Sequence, residues 1–266
     1  MQLWKMTLTY DGTPFHGWQI QPVLPTVQGT LASALKSITG EQVLPQGSGR
    51  TDTGVHALAQ VASFALEAPI PAVNLHMALN RVLPSSIRVT ALEHAPEGFH
   101  ARYSALRKTY EYRIFPADPI PVGRKSVPRV CSPMLASFVW ACHWPLQMET
   151  LQQVAVQIVG THDFTSFSAV DPDLTQRDSN EPAPENANVR TIFHSGWEQR
   201  DGLFIYRVSG SGFLHHMVRN LVGTFVDAGA GRIAPSAITE ILAARNRSAA
   251  GPTAPASGLF LAEVEY

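Results

Sequence analysis

The residues best suited to chemistry lie in a glycine-rich run at positions 47–57, GSGRTDTGVHA. Arg50 and Asp52 are two residues apart in this run, which separates two apolar stretches, so we expect Asp52 on a loop between two strands. Glycines in such a loop permit positive φ and the close approach of another backbone. A carboxylate beside a guanidinium on this loop is suited to meeting a ligand. The alternative interpretation is an Asx-turn, in which Asp52 bonds to its own backbone, and an isolated Arg-Thr-Asp favours that turn.

Two further side chains have a functional and a structural interpretation. Tyr110 shares one face of a predicted strand with Tyr112, and a place in the core is the usual fate of a strand tyrosine. Arg219 lies in a long apolar stretch at 213–228 that predicts a helix. Taken alone, it is best interpreted as a surface arginine whose stem covers apolar neighbours.

The elements that must position these residues follow from periodicity and end signals. In the first part of the chain, Thr26 can cap a helix that Gly40 ends. The predicted order is strand 3–10, helix 27–39, strands 42–45 and 61–65, helix 71–80 and strand 87–93. The second part repeats this order with strand 108–115, helix 149–159, a hairpin around residues 201–202, helices 213–228 and 236–244, and strand 259–264. We therefore predict an α+β fold in which two ferredoxin-like halves, residues 1–105 and 106–266, form one central antiparallel sheet with helices.

Composition restricts the class of protein. The chain has 266 residues, of which 45% are hydrophobic, so a sizeable core can form. No apolar run of about 18 residues occurs and no secretion signal opens the chain, so we expect neither a membrane span nor export. The only cysteines are Cys131 and Cys142, and so low a number suits a reducing cytoplasm. Adjacent His215 and His216 would diverge by about 100° on a helix, which makes a poor metal pair, and we expect no metal site.

Charge alone argues weakly against a nucleic-acid partner, because the net charge is −1. That average conceals a basic stretch at residues 100–130, which contains seven Lys or Arg residues and only two acidic residues and so has a net charge of +5. Such a local surplus can bind phosphates, although a solvated charged surface explains it equally well. Two stretches, 116–133 and 171–188, have no periodicity and several prolines. We interpret the second as a mobile loop.

Several segments in addition to the Asp52 loop match one known family in order along the chain. The most specific are FHARYSA at 99–105, RKTYEY at 107–112 and FLHHMVRNLVG at 213–223. With this set of motifs the chain resembles the TruA family, the tRNA pseudouridine synthases A. The resemblance implies a cofactor-free isomerisation of uridine to pseudouridine at positions 38, 39 and 40 of the tRNA anticodon stem-loop. It also implies a homodimer in the cytoplasm with tRNA as its partner.

The resemblance also implies roles for four residues. Asp52 matches the essential aspartate, which can attack C1′, attack C6 or deprotonate C2′. Arg219 matches the arginine that pairs with that aspartate, and an arginine fork stays charged when it is buried. Tyr110 matches the tyrosine of the active site, whose ring can stack on uracil. Arg50 matches the position that helps to hold the base outside the stem, which costs a few kcal/mol of unstacking.

Three other functions remain open at this point. The first is an RNA-binding protein without catalysis on the same scaffold, which the presence of Asp52, Tyr110 and Arg219 argues against. The second is a glycoside hydrolase, which would need a second acid near Asp52 that the loop lacks. The third is a related synthase that modifies a different RNA.

Overall fold

A computed structural model describes residues 1–169 and 186–266. The fold is mixed α+β, with a large, mostly antiparallel sheet and helices, which confirms the predicted class. The chain divides into two compact units, one of residues 1–109 and 259–266 and the other of residues 110–258. The division predicted from the sequence, at 105/106, did not include this return of the last strand to the first unit.

The first unit is built on three long strands and two helices. Its elements are β1 (Gln2–Tyr10), α1 (Val27–Thr39), β2 (Gln46–Gly47), β3 (His56–Leu66), α2 (Ala72–Val82), β4 (Ile87–His94) and the last strand of the chain, β12 (Leu259–Glu265). β1 pairs antiparallel with both β3 and β4. β12 pairs parallel with β3, where Phe260 is the partner of His56. Pairing with β3 is the physical reason that the last strand belongs to this unit.

Local signals in β1 and α1 act as the sequence predicts, whereas the strand expected at 42–45 is replaced by the two-residue β2 at Gln46–Gly47. Alternate residues of β1 are buried, which gives one core face of Trp4, Met6, Leu8 and Tyr10. The Thr26 side chain caps α1 by accepting a hydrogen bond from the Gly29 amide, and Gly40 ends the helix in the left-handed conformation.

The second unit begins within β5 (Arg107–Pro116), the strand along which the chain leaves the first unit. Its other elements are β6 (Ile120–Val122), β7 (Lys125–Val127), α3 (Pro133–Ala136), β8 (Trp140–Cys142), α4 (Met148–Ala155), β9 (Gly160–Asp163), β10 (Val189–Arg200), β11 (Leu203–Gly210), α5 (Met217–Gly229) and α6 (Ala237–Ala244). β10 and β11 form the predicted hairpin, and residues 201 and 202 both have positive φ at its turn. β8 pairs parallel with β5, and β9 pairs antiparallel with β10.

Three predictions for the second unit were wrong in detail. The helix expected over 213–228 begins only at Met217, because His216 adopts a left-handed conformation with φ 58° and interrupts any earlier turn. The helix expected over 149–159 ends at Ala155, and a 3₁₀ turn, Val156–Ile158, leads into β9. The stretch 116–133, which has no periodicity in the sequence and was expected to be irregular, contains the short hairpin of β6 and β7. Most of the loop predicted at 171–188, residues 171–185, lies outside the described residues.

Within the described part of the chain, the helices are too short or too polar for any of them to cross a lipid bilayer. Cys131 and Cys142 are both free thiols, and burial raises the pKa of each.

Candidate active site

The Asp52 loop connects β2 to β3, so the predicted placement of Asp52 between two strands is confirmed. Asp52 is half-buried and Arg50 is exposed, whereas Thr51 between them is buried. The loop turns at Gly54, which has φ 76°, and the Val55 amide donates to the Asp52 carbonyl at 3.1 Å. The two predicted site residues of this unit therefore lie on one surface loop, and the threonine between them is buried.

A buried network of polar side chains holds this loop from below. The hydroxyls of Tyr10 and Thr51 are 2.8 Å apart, and Tyr10 is fully buried. Gln60 donates to the Gly49 carbonyl at 2.9 Å and to the Tyr10 oxygen at 3.4 Å. Its amide oxygen accepts a 2.6 Å hydrogen bond from the Ser48 hydroxyl. Three residues of the loop are thus tied to two buried side chains of β1 and β3, which we call the loop anchor: Tyr10 and Gln60.

Burial decides the protonation state of the anchor. It raises the pKa of Tyr10 to about 12, although the hydrogen bonds with Thr51 and Gln60 oppose that rise. Tyr10 is therefore a neutral phenol at physiological pH, and its hydroxyl can both donate and accept. A hydroxyl with both capacities matches the two side chains that contact it.

The end of the loop is fixed by His56 and the turn after β1. The Gly12 amide donates to Nδ1 of the buried His56 at 3.0 Å, and the same nitrogen lies 3.2 Å from an Asp11 carboxylate oxygen. The His56 ring stacks on Phe260, with centroids 4.8 Å apart. A Cβ atom at Gly12 would lie 2.0 Å from the Val55 carbonyl oxygen. No side chain fits there, so glycine is required for the turn to approach the loop this closely.

The second unit holds the two other predicted site residues. Tyr110 on β5 is buried, and its ring meets the edge of the Phe213 ring at 4.9 Å between centroids. Tyr112 is fully buried and donates to the Pro255 carbonyl at 2.7 Å. Burial raises the pKa of Tyr112 well above its usual range, and the charge of Arg219 opposes that rise. Tyr112 therefore has the structural role, and Tyr110 packs against the segment that leads into α5.

Arg219 lies in the first turn of α5. Its segment alone predicted a side chain that extends over the helix surface, and the structure differs from that prediction. Its Nε donates to the Ala254 carbonyl at 2.8 Å, and the Ala254 amide donates back to the Arg219 carbonyl at 3.1 Å. This reciprocal pair ties the side chain to the segment before β12. A half-buried guanidinium held at Nε keeps its other nitrogens oriented, which suits a fork that binds an anion.

Sequence reasoning missed the polar side chains that brace these positions. Asn220 is fully buried beside Arg219 and donates to the Phe167 carbonyl at 2.8 Å. Its amide oxygen accepts from Thr253 at 2.6 Å and from Arg247 at 3.1 Å. The signal for Asn220, as for Tyr10 and Gln60, was a polar residue at a core position of an otherwise apolar pattern. The rings of His215 and His216 are tilted against each other, with centroids 3.9 Å apart, and so differ from the divergent pair expected on a helix, because both residues precede α5.

A family model and the curated relatives of similar sequence agree on one family. A family model described as tRNA pseudouridine synthase matches residues 6–104 and 154–266. The chain is 46% identical to a tRNA pseudouridine synthase A of Solibacter usitatus and 43% identical to one of Moorella thermoacetica. It is 38% identical to a tRNA pseudouridine synthase A of Bacillus subtilis, and each of these three alignments covers 98% of both chains. Tyr110 falls between the two ranges of the family model.

Proposed function

Because this chain belongs to the tRNA pseudouridine synthase family, we propose that it modifies the uridines at positions 38, 39 and 40 of the tRNA anticodon stem-loop. The protein is an isomerase that converts uridine to pseudouridine in tRNA. The finer assignment is supported by the motifs shared with the TruA family, from the Asp52 loop to residues 213–223. The observation that carries it is an aspartate presented on a braced loop within a chain of this family.

We assign the central chemical role to Asp52. The reaction breaks the bond between uracil N1 and ribose C1′ and forms one from C5 to C1′. C5 releases its proton and N1 takes one up, so no atom is gained overall and no redox change occurs. The protein therefore needs no redox cofactor or group donor for this step. A carboxylate near C1′ and C6 can attack either carbon, or it can remove the C2′ proton. All three routes require an anion at a defined position, and the loop anchor supports that requirement by restraining residues 48, 49 and 51.

We propose that Arg219 pairs with Asp52 and holds its carboxylate in position during the reaction, because an arginine fork can bind both carboxylate oxygens. The hydrogen bond from Nε to Ala254 supports the proposal, because it fixes the orientation of the planar guanidinium group.

Tyr110 and Arg50 are proposed to bind the substrate. A uridine within a paired stem must leave the stack before its C1′ can be reached, at a cost of a few kcal/mol. Stacking of the extruded uracil on Tyr110 offsets part of this cost. Arg50 is exposed at the start of the loop, where its cation can contact a backbone phosphate or hold the base outside the stem. We further propose that the enzyme acts as a cytoplasmic homodimer with tRNA across both subunits.

The test is turnover on an anticodon-arm RNA that carries uridines at positions 38–40 and tritium at C5. Wild-type protein is expected to release tritium without added metal or nucleotide. Asp52→Ala and Asp52→Asn are expected to abolish release and to retain RNA binding, because phosphate contacts carry most of the affinity. Full activity in either variant would remove Asp52 from the mechanism. Release from RNA that lacks uridines at 38–40 would overturn the site assignment alone.

A second test addresses the pairing of Asp52 with Arg219. Arg219→Leu is expected to reduce kcat by at least about 100-fold. In the Asp52→Asn background, addition of Arg219→Leu should cause little further loss, because the effects of residues that act as a unit are not additive. The matched control is Arg107→Leu, which removes an exposed arginine paired with Glu265 at 3.5 Å. Equal losses in the Arg219 and Arg107 variants would refute the pairing.

A further inference from the structure

The turn at residues 99–104 presents an aromatic ring to solvent in the first unit. The side chain of Tyr103 is 78% exposed, although a tyrosine ring is a large apolar surface. Its neighbour in the turn, Ala101, is fully buried. One residue therefore anchors the turn while another, two positions later, projects from it.

Hydrogen bonds within the turn make it rigid. The Ser104 amide donates to the His100 carbonyl at 2.9 Å, and the His100 amide donates to the Ser104 hydroxyl at 3.1 Å. Nδ1 of His100 accepts from the amides of Arg102 and Tyr103, at 3.1 and 3.4 Å. His100 thus uses its side chain to close the turn. The backbone that carries Tyr103 has few other conformations available.

The turn is also fixed to the sheet beneath it. The Ala101 amide donates to the Ser63 hydroxyl of β3 at 3.0 Å. The Ala101 carbonyl accepts from the Tyr266 hydroxyl at 2.8 Å. Both attachments lie within the first unit, which also carries the Asp52 loop.

The exposed ring has a histidine ring and a cation as its neighbours. The ring centroids of His100 and Tyr103 are 4.4 Å apart, and the guanidinium carbon of Arg102 lies 5.9 Å from the Tyr103 centroid. These contacts orient the tyrosine before any ligand arrives, so little side-chain entropy is lost on binding. An oriented aromatic ring beside an arginine fits a nucleobase next to its phosphate.

We infer that this stacking turn (His100, Arg102 and Tyr103) is a separate RNA-binding surface, on which Tyr103 stacks against an unpaired base of the tRNA and Arg102 contacts the adjacent phosphate. Within the first unit, residues 100–109 contain Arg102, Arg107 and Lys108 and no acidic residue, and this positive charge complements RNA. The inference rests on the proposed function only for the identity of the RNA. The turn is inferred to contribute to the affinity for tRNA, whereas the isomerisation takes place at the Asp52 loop.

The experiment measures equilibrium binding of a full-length tRNA transcript with a fluorescent end label, at several salt concentrations. Tyr103→Ala is expected to weaken binding by roughly 5- to 150-fold, which is the range for loss of one aromatic–base stack. Tyr103→Phe keeps the ring and should bind as the wild type does. Because stacking releases no counterions, Tyr103→Ala should leave the slope of log Kd against log salt unchanged. Arg102→Leu should reduce that slope by about one.

The matched control is Met77→Ala on α2, since Met77 is also exposed, at 67%, and lies in the same unit. That variant should bind tRNA normally. All variants should unfold at the wild-type temperature, because the substituted side chains face solvent. Binding by Tyr103→Ala within twofold of the wild type would overturn the inference. So would a change of oligomeric state on sedimentation with unchanged RNA affinity, which would identify the turn as a protein interface.

Failure of this inference is distinguishable from failure of the proposed function. If the wild type releases tritium from positions 38–40 and Tyr103→Ala binds tRNA normally, the stacking turn alone is refuted. If the wild type binds tRNA and releases no tritium from those positions, the proposed site of modification is refuted, and the effect of Tyr103→Ala on binding still tests the turn.

Discussion

Replacement of Tyr10 by phenylalanine tests whether the loop anchor contributes to catalysis. The substitution keeps the ring in a fully buried position and removes only the hydroxyl. That hydroxyl lies 2.8 Å from the Thr51 hydroxyl and 3.4 Å from the Gln60 amide nitrogen. Thr51 is the residue before Asp52, so a loosened Thr51 displaces the carboxylate directly.

The size of the effect follows from the bonds that are lost and those that remain. The bond with Thr51 at 2.8 Å dominates the loss, since the contact with Gln60 is long at 3.4 Å, and one buried hydrogen bond lost with its partner left unsatisfied costs about 1 to 2 kcal/mol. In a chain of this size that lowers Tm by roughly 2 to 8 °C. Gln60 keeps its bonds with Gly49 and Ser48, so the loop is loosened rather than released. We therefore expect kcat to fall by about 10-fold, which is less than the roughly 100-fold that a displacement of 1 Å can cost.

The assay is tritium release under saturating RNA, together with a thermal unfolding curve. The control is Tyr206→Phe, which removes an equally buried hydroxyl that lies 2.8 Å from the Ser195 hydroxyl in the second unit. It should lose similar stability and keep its kcat. RNA affinity should not change in either variant. Equal kcat values for the two variants would show that the hydroxyl of Tyr10 contributes to folding only, and our reasoning on the loop would fail.

Three other perturbations have defined outcomes. Gly12→Ala places a methyl group 2.0 Å from the Val55 carbonyl oxygen, so Tm should fall by well over 5 °C. The control is Gly196→Ala, where the nearest atom to the added methyl group is 3.4 Å away and Tm should change little. Glu111→Gln removes the charge of a buried carboxylate that bonds Arg113 at 2.7 Å and Arg200 at 3.4 Å. Urea titration should show that the free energy of unfolding falls by about 1 to 2 kcal/mol, a modest value because both arginines are partly exposed. Burial raises the pKa of Tyr10 to about 12, above the value of about 10 in an unfolded chain. The contribution of Tyr10 to stability is therefore complete below pH 10 and is lost as the pH rises towards 12. Over that range, the free energy of unfolding measured by urea titration should fall less steeply with pH in Tyr10→Phe than in the wild type.

The sequence predicted those features that depend on a few neighbouring residues. The glycine-rich run placed Asp52 between two strands because alternating apolar segments flank it. Thr26 and Gly40 marked both ends of α1, since a cap needs only the residues within one turn. The α+β class followed from the order of such elements. Arg219 could be singled out only through family resemblance, because its segment alone favours a surface role.

Features that depend on distant residues were not predictable in this way. The start of α5 is set by the left-handed conformation of His216, which is rare for a non-glycine residue and has no local signal. The pairing of β12 with β3 joins segments from opposite ends of the chain. The loop anchor unites Tyr10 with Gln60, 50 positions apart. Periodicity marks such residues as interior but does not identify their partners.

The return of the last strand has a consequence for biosynthesis. β12 follows the other described strands along the chain and is synthesised after them, yet it supplies Phe260, against which the His56 ring stacks at the end of the Asp52 loop. Until then β3 lacks its β12 partner at His56 and Ala57, where a strand of another chain can add. Removal of β12 is therefore expected to loosen the end of the Asp52 loop and to leave this edge of β3 open to aggregation.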